Sequence, residues 1–337
     1  MKVLLTGGTG FLGRRVAAEL APRHELRLLV RPGSSRERFP AGVDFAAGDV
    51  TDRASLQRAM EGCDAVVHAA ALVKILAPPE QFDRINVGGL ANVLAAAEES
   101  GSIERVVHVS SFMALGPTEK GAGGELDESA DLSGPSGDRV WINDYERTKA
   151  MADRHARQAI ADGAPLVVVY PGVIYGPGEM TEGNIVVRHI LDLVHKRLPA
   201  LLGRPERRWN YVHVEDVARG VALALERAEP GTRYVLGGEN VRQDRFYELV
   251  GRATGAKMPT MRMPDAVATL SGALMKTIAR LTGGTPKLTP DLVEVYRHDW
   301  AYRSGRAEAE LGYTWRPLEQ GLTETVGWLK ESGAWKK

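Results

Sequence analysis

A glycine-rich turn after the first apolar run constrains the fold of this chain more than any other feature. The run at 3–5 (Val-Leu-Leu) leads into Thr-Gly-Gly-Thr-Gly-Phe-Leu-Gly at 6–13, and a helical pattern continues to residue 20. A strand that ends in such a turn directs the free N–H groups and the positive end of the next helix at an anion. Glycines permit the sharp turn, the approach of a phosphate and the packing of helix on strand. The sequence therefore predicts a unit that binds the pyrophosphate of a dinucleotide.

The turn fits two glycine patterns. The general fingerprint G-x-G-x-x-G begins at Gly8, and the wider spacing T-G-x-x-G-x-x-G begins at Thr6. A glycine-rich turn without a ligand is the alternative, but the preceding strand, the following helix and a second strand-like run at 26–30 favour the dinucleotide unit. The residues of the turn that we expect to contact the cofactor are Gly7, Thr9, Gly10, Phe11, Leu12 and Gly13.

Strand-like runs alternate with helix-length stretches through the first half of the chain, which is typical of βαβ units and a parallel sheet. Strands are predicted at 3–5, 26–30, 43–50, 65–71, 106–111 and 166–171, and helices at 14–20, 53–60 and 86–100. A stretch rich in Gly, Pro and Ser at 116–143 predicts a long functional loop. We expect an α/β fold, a Rossmann-type doubly wound parallel sheet with a smaller, mostly helical C-terminal substrate region.

The alternation lapses after residue 178 and then returns. The later strands and the helix between them are predicted at 211–214, 233–236 and 215–226. We therefore expect one sheet in a dinucleotide-binding domain, at 1–177 and 211–237. The substrate-binding region is predicted at 178–210 and 238–337.

The composition limits the compartments and partners that fit the chain. Its 337 residues carry a formal net charge of +0, which provides no long-range field to attract nucleic acid or an anionic membrane. The single cysteine, Cys63, excludes an intramolecular disulfide and offers no metal cluster. We expect a cytoplasmic protein with no metal, no nucleic-acid partner and no integral membrane segment.

One long apolar stretch, at 266–281, contains Lys276 and Arg280 and falls short of a membrane-spanning helix. It predicts a core or pocket-wall helix, with a surface-lying amphipathic helix as the alternative. The neighbouring apolar residues are typical of either a core or a flexible hydrophobic pocket. They are Met258, Met261, Met263, Leu270, Leu274, Met275 and Ile278.

Three polar residues carry the candidate chemistry. Ser111 ends the run at 106–111, and Tyr145 and Lys149 share one face of a predicted helix because they are four residues apart. A phenol has a reference pKa of about 10, and a nearby ammonium lowers that pKa because it favours the phenolate. We expect Tyr145 to transfer a proton, Lys149 to lower the Tyr145 pKa and bind the nicotinamide ribose, and Ser111 to hold the substrate oxygen. For Y-x-x-x-K alone, a charged surface helix is the alternative.

Together these motifs resemble the extended short-chain dehydrogenase/reductase superfamily, which includes the NAD-dependent epimerases and dehydratases. Within it, the chain looks most like the dihydroflavonol-4-reductase and 3β-hydroxysteroid dehydrogenase-like branch. The resemblance covers nearly the whole length and rests on TGGTGFLG at 6–13, GDV at 48–50, HAAA at 68–71, NVG at 86–88, VSS at 109–111, YERTK at 145–149, PGV at 171–173, YVHVEDVA at 211–218 and YVLGG at 234–238.

The resemblance implies catalysis by Ser111, Tyr145 and Lys149. It implies adenine contacts from Asp49 and Val50. Further cofactor contacts are expected from Ala69, Ala70, Ala71, Asn86, Tyr145, Lys149, Pro171 and Val173. For His68, Asn143 and His213, which lie in the same segments, we favour structural roles. The resemblance also implies a homodimer, built by the helices after Asn86 and around Tyr145.

The residue after the second strand bears on the choice of cofactor. An acidic residue there would bind the ribose 2′-OH of NAD, whereas Arg31 occupies this position and suits a 2′-phosphate. The sequence therefore favours NADP, with NAD possible if Arg31 only stacks on the adenine.

The motifs leave three functions open. A reductase of ketones or alcohols on a fairly apolar small molecule is favoured, because Val173 and Trp209 stand where sugar-nucleotide enzymes carry an asparagine and an arginine. The cluster Arg204, Arg207 and Arg208 keeps a nucleotide-sugar epimerase or dehydratase as the alternative. A catalytically silent dinucleotide sensor is disfavoured, because proteins of that kind typically lack the tyrosine or the lysine.

Overall fold

The computed structural model describes residues 1–118, 124–130, 141–181, 183–197 and 200–336. Its strands are β1 Lys2–Thr6, β2 Glu25–Val30, β3 Asp44–Ala47, β4 Ala65–His68, β5 Arg105–Val109, β6 Leu166–Pro171, β7 Val173–Tyr175, β8 Arg208–His213, β9 Arg233–Leu236 and β10 Glu239–Arg242. Seven of them form a parallel sheet in the order β3-β2-β1-β4-β5-β6-β9. The predicted Rossmann-type doubly wound sheet is thus confirmed.

Helices cover the sheet and build the C-terminal region. They are α1 Phe11–Leu20, α2 Arg53–Met60, α3 Pro79–Phe82, α4 Gly88–Ser100, α5 Phe112–Leu115, α6 Asp144–Ala161, α7 Ile185–Val194, α8 Val214–Arg227, α9 Gln243–Thr254, α10 Asp265–Thr282, α11 Pro290–Tyr296 and α12 Leu318–Glu331. A π turn, Asp83–Val87, joins α3 to α4. The helix predicted at 86–100 therefore belongs to a longer helical segment.

Two apolar layers hold the sheet between its helices. Alternate residues of β1 point to opposite faces, with Leu4 in the layer beneath α2, α4 and α6 and Leu5 in the layer beneath α1 and α8. Both leucines are fully buried. Strands buried on both faces read as continuous apolar runs, which is why the central strands were visible in the sequence.

The sheet presents a crevice at the carboxyl ends of its central strands. The order reverses between β1, which leads to β2 and β3, and β4, which leads to β5 and β6. In open α/β sheets, ligands bind at this switch point. The residues that follow β1, β4 and β5 are Gly7, Ala69 and Ser110, so the motif residues converge here.

The expectation of one sheet was wrong, because β7, β8 and β10 form a separate three-stranded sheet. The strand predicted at 211–214 belongs to this second sheet and begins earlier, at Arg208. Its polar residue Asn210 hid the strand in the sequence. The Asn210 amide is fully buried and donates to Gly238 O and Asn240 Oδ1, so its burial is compensated.

Three predicted strands extend too far. The runs at 43–50, 65–71 and 106–111 leave the sheet at Ala47, His68 and Val109. Of the loop predicted at 116–143, residues 119–123 and 131–140 lie outside the described part of the chain. Within 124–130, Leu126 forms an isolated bridge with Tyr302.

Helix α10 packs through small residues and exposes large ones. Ala268, Gly272 and Ala279 are buried, whereas Leu270 and Leu274 are 74% and 62% exposed. The prediction of a core helix was therefore wrong for its large apolar residues, and the surface-lying alternative describes their placement. The pocket-wall prediction holds for Lys276 and Arg280, which line a cavity. None of the helices in the described ranges is long and apolar enough to cross a membrane.

Candidate active site

The glycine turn is shaped by contacts that leave no room for side chains. Gly7 has φ +74°, and a Cβ there would overlap the backbone of Ala69 and Ala70. A Cβ on Gly13 would overlap Gly7 O, which ties the first turn of α1 to the end of β1. The pattern T-G-x-x-G-x-x-G therefore fits the geometry, because its Gly7 and Gly13 are in contact.

The N-terminus of α1 is open to a ligand. Its N-cap residue is Gly10, which supplies no side-chain cap, and Gly10 N donates to Gly7 O at 3.0 Å. The first N–H groups of a helix lack intrahelical partners and attract an anion. This cradle, which a Cβ would fill, fits the pyrophosphate of a nicotinamide dinucleotide.

A threonine links the turn to the next strand. Thr6 Oγ1 accepts from Ala70 N at 3.3 Å and lies 2.8 Å from His68 Nδ1. Burial lowers the pKa of His68 to about 3, so the ring is neutral when it hydrogen-bonds Thr6. The segment after β4, which includes the predicted residues Ala69 and Ala71, is thereby held beside the glycine turn.

The serine pair follows β5 at the same edge of the sheet. Ser111 begins the short helix α5, and its Oγ accepts from Met113 N at 3.3 Å. Ser110 Oγ is buried and has no hydrogen-bond partner among the described residues. An unpaired buried hydroxyl in a ligand cavity is a candidate contact for a bound molecule.

The start of α6 positions the tyrosine. Asn143 Oδ1 accepts from Glu146 N at 2.8 Å, and Glu146 Oε2 accepts from Ile142 N at 2.7 Å. These two bonds satisfy N–H groups at the helix start in the manner of a capping box. Tyr145 lies in this first turn, and Lys149 follows one turn later on the same face.

The tyrosine and the lysine meet in the crevice. Lys149 Nζ lies 5.9 Å from the centre of the Tyr145 ring and donates to Val109 O at 3.2 Å. Burial lowers the pKa of Lys149 to about 8. Burial also raises the pKa of Tyr145, and hydrogen bonding with Ser111 acts in the opposite direction. The pKa of Tyr145 is therefore raised in this structure and not lowered as expected, because desolvation of the phenol outweighs its hydrogen bond with Ser111.

Two contacts fasten α6 to the segment before α4. Arg147 makes a bidentate ion pair with Asp83, at 2.7 and 2.9 Å. Asn86 Nδ2 donates to Thr148 Oγ1 and Leu72 O, and Asn86 Oδ1 accepts from Leu72 N at 2.7 Å. Asn86, predicted as a cofactor contact, here holds the segment after β4 against α6.

A cavity of about 600 Å³ collects most of the predicted site residues. Those that line it are Gly7, Gly10, Phe11, Leu12, Gly13, Ala69, Ala71, Ser111, Tyr145, Lys149, Pro171 and Val173. Those outside its lining are Thr9, Arg31, Asp49, Val50, Ala70 and Asn86. Arg31 and Asp49 follow β2 and β3, the two strands beyond β1, so they lie toward the far end of the glycine turn.

Much of the cavity wall was not predicted. Its apolar residues include Ile75, Leu76, Phe82, Met113, Ile174 and Leu292, and its cations are Lys74, Lys276, Arg280 and Lys287. None belongs to a recognised motif, because the wall is formed by segments that are far apart in the sequence. The capping of α6 by Asn143 did have a readable signal, the N-x-x-E spacing with Glu146.

The seven apolar residues for which the sequence left a core or a flexible pocket open do not line the cavity. Met258 and Met263 pack against the core, and Met261, Leu270, Leu274, Met275 and Ile278 are exposed. The arginine cluster also lies outside the cavity lining. Arg207 pairs with Asp299, and Arg208 pairs with Glu125.

The three other polar residues of the motif segments have structural contacts. Asn143 caps α6, as described above, and His213 caps α8 by accepting from Glu215 N. His68 stacks on His108, with ring centres 5.3 Å apart, and burial lowers the pKa of both imidazoles. These contacts agree with the favoured structural roles.

The chain is similar to known proteins over its whole length. The profile of the NAD dependent epimerase/dehydratase family matches residues 3–237. A 4-hydroxy-2-methyl-3-oxo-4-farnesyl-3,4-dihydroquinoline-1-oxide ketoreductase of Stigmatella aurantiaca is 30% identical, with 96% of this chain and 95% of the relative covered. A 3 beta-hydroxysteroid dehydrogenase/Delta 5-->4-isomerase of Mycobacterium tuberculosis is also 30% identical, with 96% and 89% covered. The crystal structure of gox2253 matches with a TM-score of 0.80 at 32% identity, with 98% of each chain covered.

Proposed function

The chain belongs to the NAD dependent epimerase/dehydratase family, and we propose that it is an oxidoreductase that transfers a hydride between nicotinamide and a ketone or alcohol. One observation carries the proposal. Ser111, Tyr145 and Lys149 line a single cavity that begins at the glycine turn and continues between apolar walls. A pocket with apolar walls and a few convergent polar groups suits a fairly apolar small molecule.

The relatives support a reaction at a carbonyl or alcohol carbon. One is named as a ketoreductase of a farnesylated compound and another as a hydroxysteroid dehydrogenase. Both names describe apolar substrates, and the apolar residues Phe82, Met113 and Leu292 line the cavity of this chain. We therefore assign a substrate of similar character to this protein.

The cofactor would be held by residues at the carboxyl ends of the strands. The turn from Gly7 to Gly13 would bind the pyrophosphate, Ala69 and Ala71 would line the cofactor, and Pro171 and Val173 would face the nicotinamide. When bound, nicotinamide supplies or accepts the hydride. The unpaired Ser110 hydroxyl and the uncapped N-terminus of α1 are the features that fit it best.

In the reduction, Tyr145 would donate its phenolic proton to the carbonyl oxygen. Ser111 hydrogen-bonds the same oxygen and orients it. Lys149 holds a ribose hydroxyl and, while protonated, favours the phenolate that Tyr145 leaves behind. The phenolate then regains a proton from the solvent.

We favour NADP over NAD. Arg31 is exposed directly after β2 and has no carboxylate partner among the described residues, so its guanidinium is free to bind a 2′-phosphate. We also propose that the cofactor is contacted by the remaining predicted residues, Thr9, Asp49, Val50, Ala70 and Asn86.

The residues that kept the nucleotide-sugar alternative open do not reach the cavity. Arg207 and Arg208 lie outside its lining and pair with Asp299 and Glu125. A silent sensor is disfavoured because both Tyr145 and Lys149 reach the cavity.

We also propose a homodimer formed through α4 and α6, and a division into the dinucleotide-binding and substrate-binding regions given above. A cytoplasmic location is supported by Cys63, which is buried and unpaired and so fits a reducing compartment.

Replacing the proposed proton donor tests the function. Tyr145→Phe is expected to lower NADPH-dependent ketone turnover by about 10²–10⁴-fold, because general acid catalysis contributes that much. The affinity for NADPH, measured by fluorescence titration, should stay unchanged. Tyr175→Phe is the matched control, since the buried Tyr175 hydroxyl has no hydrogen-bond partner among the described residues. Full turnover by Tyr145→Phe would remove Tyr145 from the mechanism.

A further inference from the structure

The outer face of α10 carries an apolar stripe in contact with solvent. Its members recur every three or four residues, which places them on one side of the helix. They are Val267, Leu270, Leu274, Ile278 and Leu281, and each is at least half exposed. Leu281 alone exposes 83% of its surface. Monomeric proteins rarely leave so continuous an apolar row uncovered.

The packing of α10 fixes the direction of this stripe. Its buried side consists of Ala268, Gly272 and Ala279, and a Cβ on Gly272 would overlap the backbone of Thr289 at the start of α11. Small residues let α10 and α11 approach closely. A rotation of α10 that buried its leucines would push these two helices apart. The leucines therefore face outward as a consequence of close packing on the opposite side.

The same helix borders the cavity. Lys276 and Arg280 line it from α10, and Val73 and Lys74 line it from the segment after β4. Arg280, Val73 and Lys74 are also exposed, so they form part of the cavity rim. Lys276 pairs with Asp291, whereas neither Lys74 nor Arg280 has a carboxylate partner among the described residues.

We propose that α10 docks this protein on the surface of an anionic lipid bilayer. The leucines would enter the boundary between headgroups and acyl chains, and Lys74 and Arg280 would contact anionic headgroups. The chain has a net charge of +0, so the attraction must come from this local patch rather than from the whole molecule.

Charge and position favour a bilayer over a protein partner. The C-terminal half of α10 carries two cations and no acidic residue, and the unpaired cations Lys74 and Arg280 lie at the rim of the cavity that α10 borders. A protein that covered the stripe and these cations would close the cavity rim. A bilayer in the same position would leave the cavity facing lipid, so molecules dissolved in lipid could still enter. The docking surface is independent of the reaction proposed above.

Vesicle binding tests the proposal. The full chain should co-sediment with vesicles of phosphatidylcholine and phosphatidylglycerol and bind less to phosphatidylcholine alone. Burying one leucine is worth about tenfold in partitioning, so Leu270→Gln/Leu274→Gln/Leu281→Gln should lower binding by about hundredfold or more. Arg280→Gln should lower the binding to anionic vesicles by about fivefold. Met180→Gln is the matched control, because Met180 is exposed in the loop after β7 and should leave binding unchanged.

Three results would overturn the proposal. The wild-type chain fails to bind the anionic vesicles, or the triple variant binds as well as the wild type. The third is that the wild-type chain self-associates and the triple variant sediments as a smaller species in sedimentation velocity. A second copy of the chain would then occupy the stripe. Glutamine is well tolerated in helices, and circular dichroism of the variant checks that α10 and the fold are retained.

Discussion

Two requirements conflict at Lys149. Its ammonium is expected to hold the cofactor ribose and favour the Tyr145 phenolate, yet the side chain is only 3% exposed and its pKa falls to about 8. The i, i+4 spacing correctly predicted that the two side chains meet. It could not predict the sign of the Tyr145 pKa shift, because burial depends on β5 and α5, which pack over the pair from elsewhere in the chain.

Removing the buried cation should stabilise the protein. The folded-state pKa of Lys149 lies below its usual value of 10.5, so burial of the charge costs stability below pH 8, and this cost disappears as the pH rises to 10.5. Lys149→Met should raise the free energy of unfolding at pH 7 by about 1–3 kcal/mol, after the loss of the bond to Val109 O, and abolish turnover. The gain should shrink between pH 8 and 10.5.

Urea unfolding at pH 7 and at pH 10 measures this difference. Lys257→Met, which replaces an exposed lysine, should show no comparable pH-dependent gain. A Lys149→Met variant that is less stable than the wild type at pH 7 would show that the Lys149 side chain stabilises the fold. Burial of its charge would then carry no net cost in stability.

The position of Arg31 predicts how the chain selects its cofactor. Arg31→Ala should weaken NADPH binding by about 10-fold to 100-fold, because a charge-assisted contact to the 2′-phosphate is worth about 1.5–3 kcal/mol. NADH binding should change little. Fluorescence titration with both cofactors measures the preference, and Arg58→Ala serves as a control on the exposed face of α2. An unchanged preference would refute the role of Arg31.

At the scale of elements, the first turn of α6 determines where Tyr145 lies. Asn143 and Glu146 cap this turn, and Arg147 and Thr148 fasten it to the π turn and to Asn86. The sequence predicted the helix from Tyr145 and Lys149. It did not predict the attachment to Asp83 and Asn86, because those pairs join residues more than sixty positions apart.

Loss of the α6 cap should reduce both stability and turnover. Asn143→Ala removes the acceptor of Glu146 N, which costs about 1 kcal/mol, and frees the turn that carries Tyr145. Asn143→Asp keeps an acceptor and should retain stability. The free energy of unfolding and kcat, measured for both variants, check this. Equal effects of alanine and aspartate would show that Asn143 acts through the substrate rather than through the cap.

At the scale of the whole molecule, the sheet and the cavity differ in how well the sequence predicted them. The strand order follows from apolar runs and the alternation of strands and helices, and both are local signals. The cavity wall joins the segment after β4, α5, α10 and α11, whose proximity is a tertiary property. For the same reason the sequence predicted a core or pocket-wall helix at 266–281, and the leucines of α10 are exposed instead. The second sheet was missed because its polar strand residues are paired with distant side chains.

Deuteride transfer tests the central claim most directly. NADPH carrying deuterium at the transferring position of C4 is incubated with the wild-type chain and a panel of apolar ketones, and the product is analysed by mass spectrometry. We predict stoichiometric oxidation of the cofactor and one deuterium on the carbinol carbon of the product, with at least about a hundredfold less product formed by Tyr145→Phe in the same time. A chain that consumes no cofactor with any ketone, and instead isomerises or dehydrates a sugar nucleotide, would contradict the account.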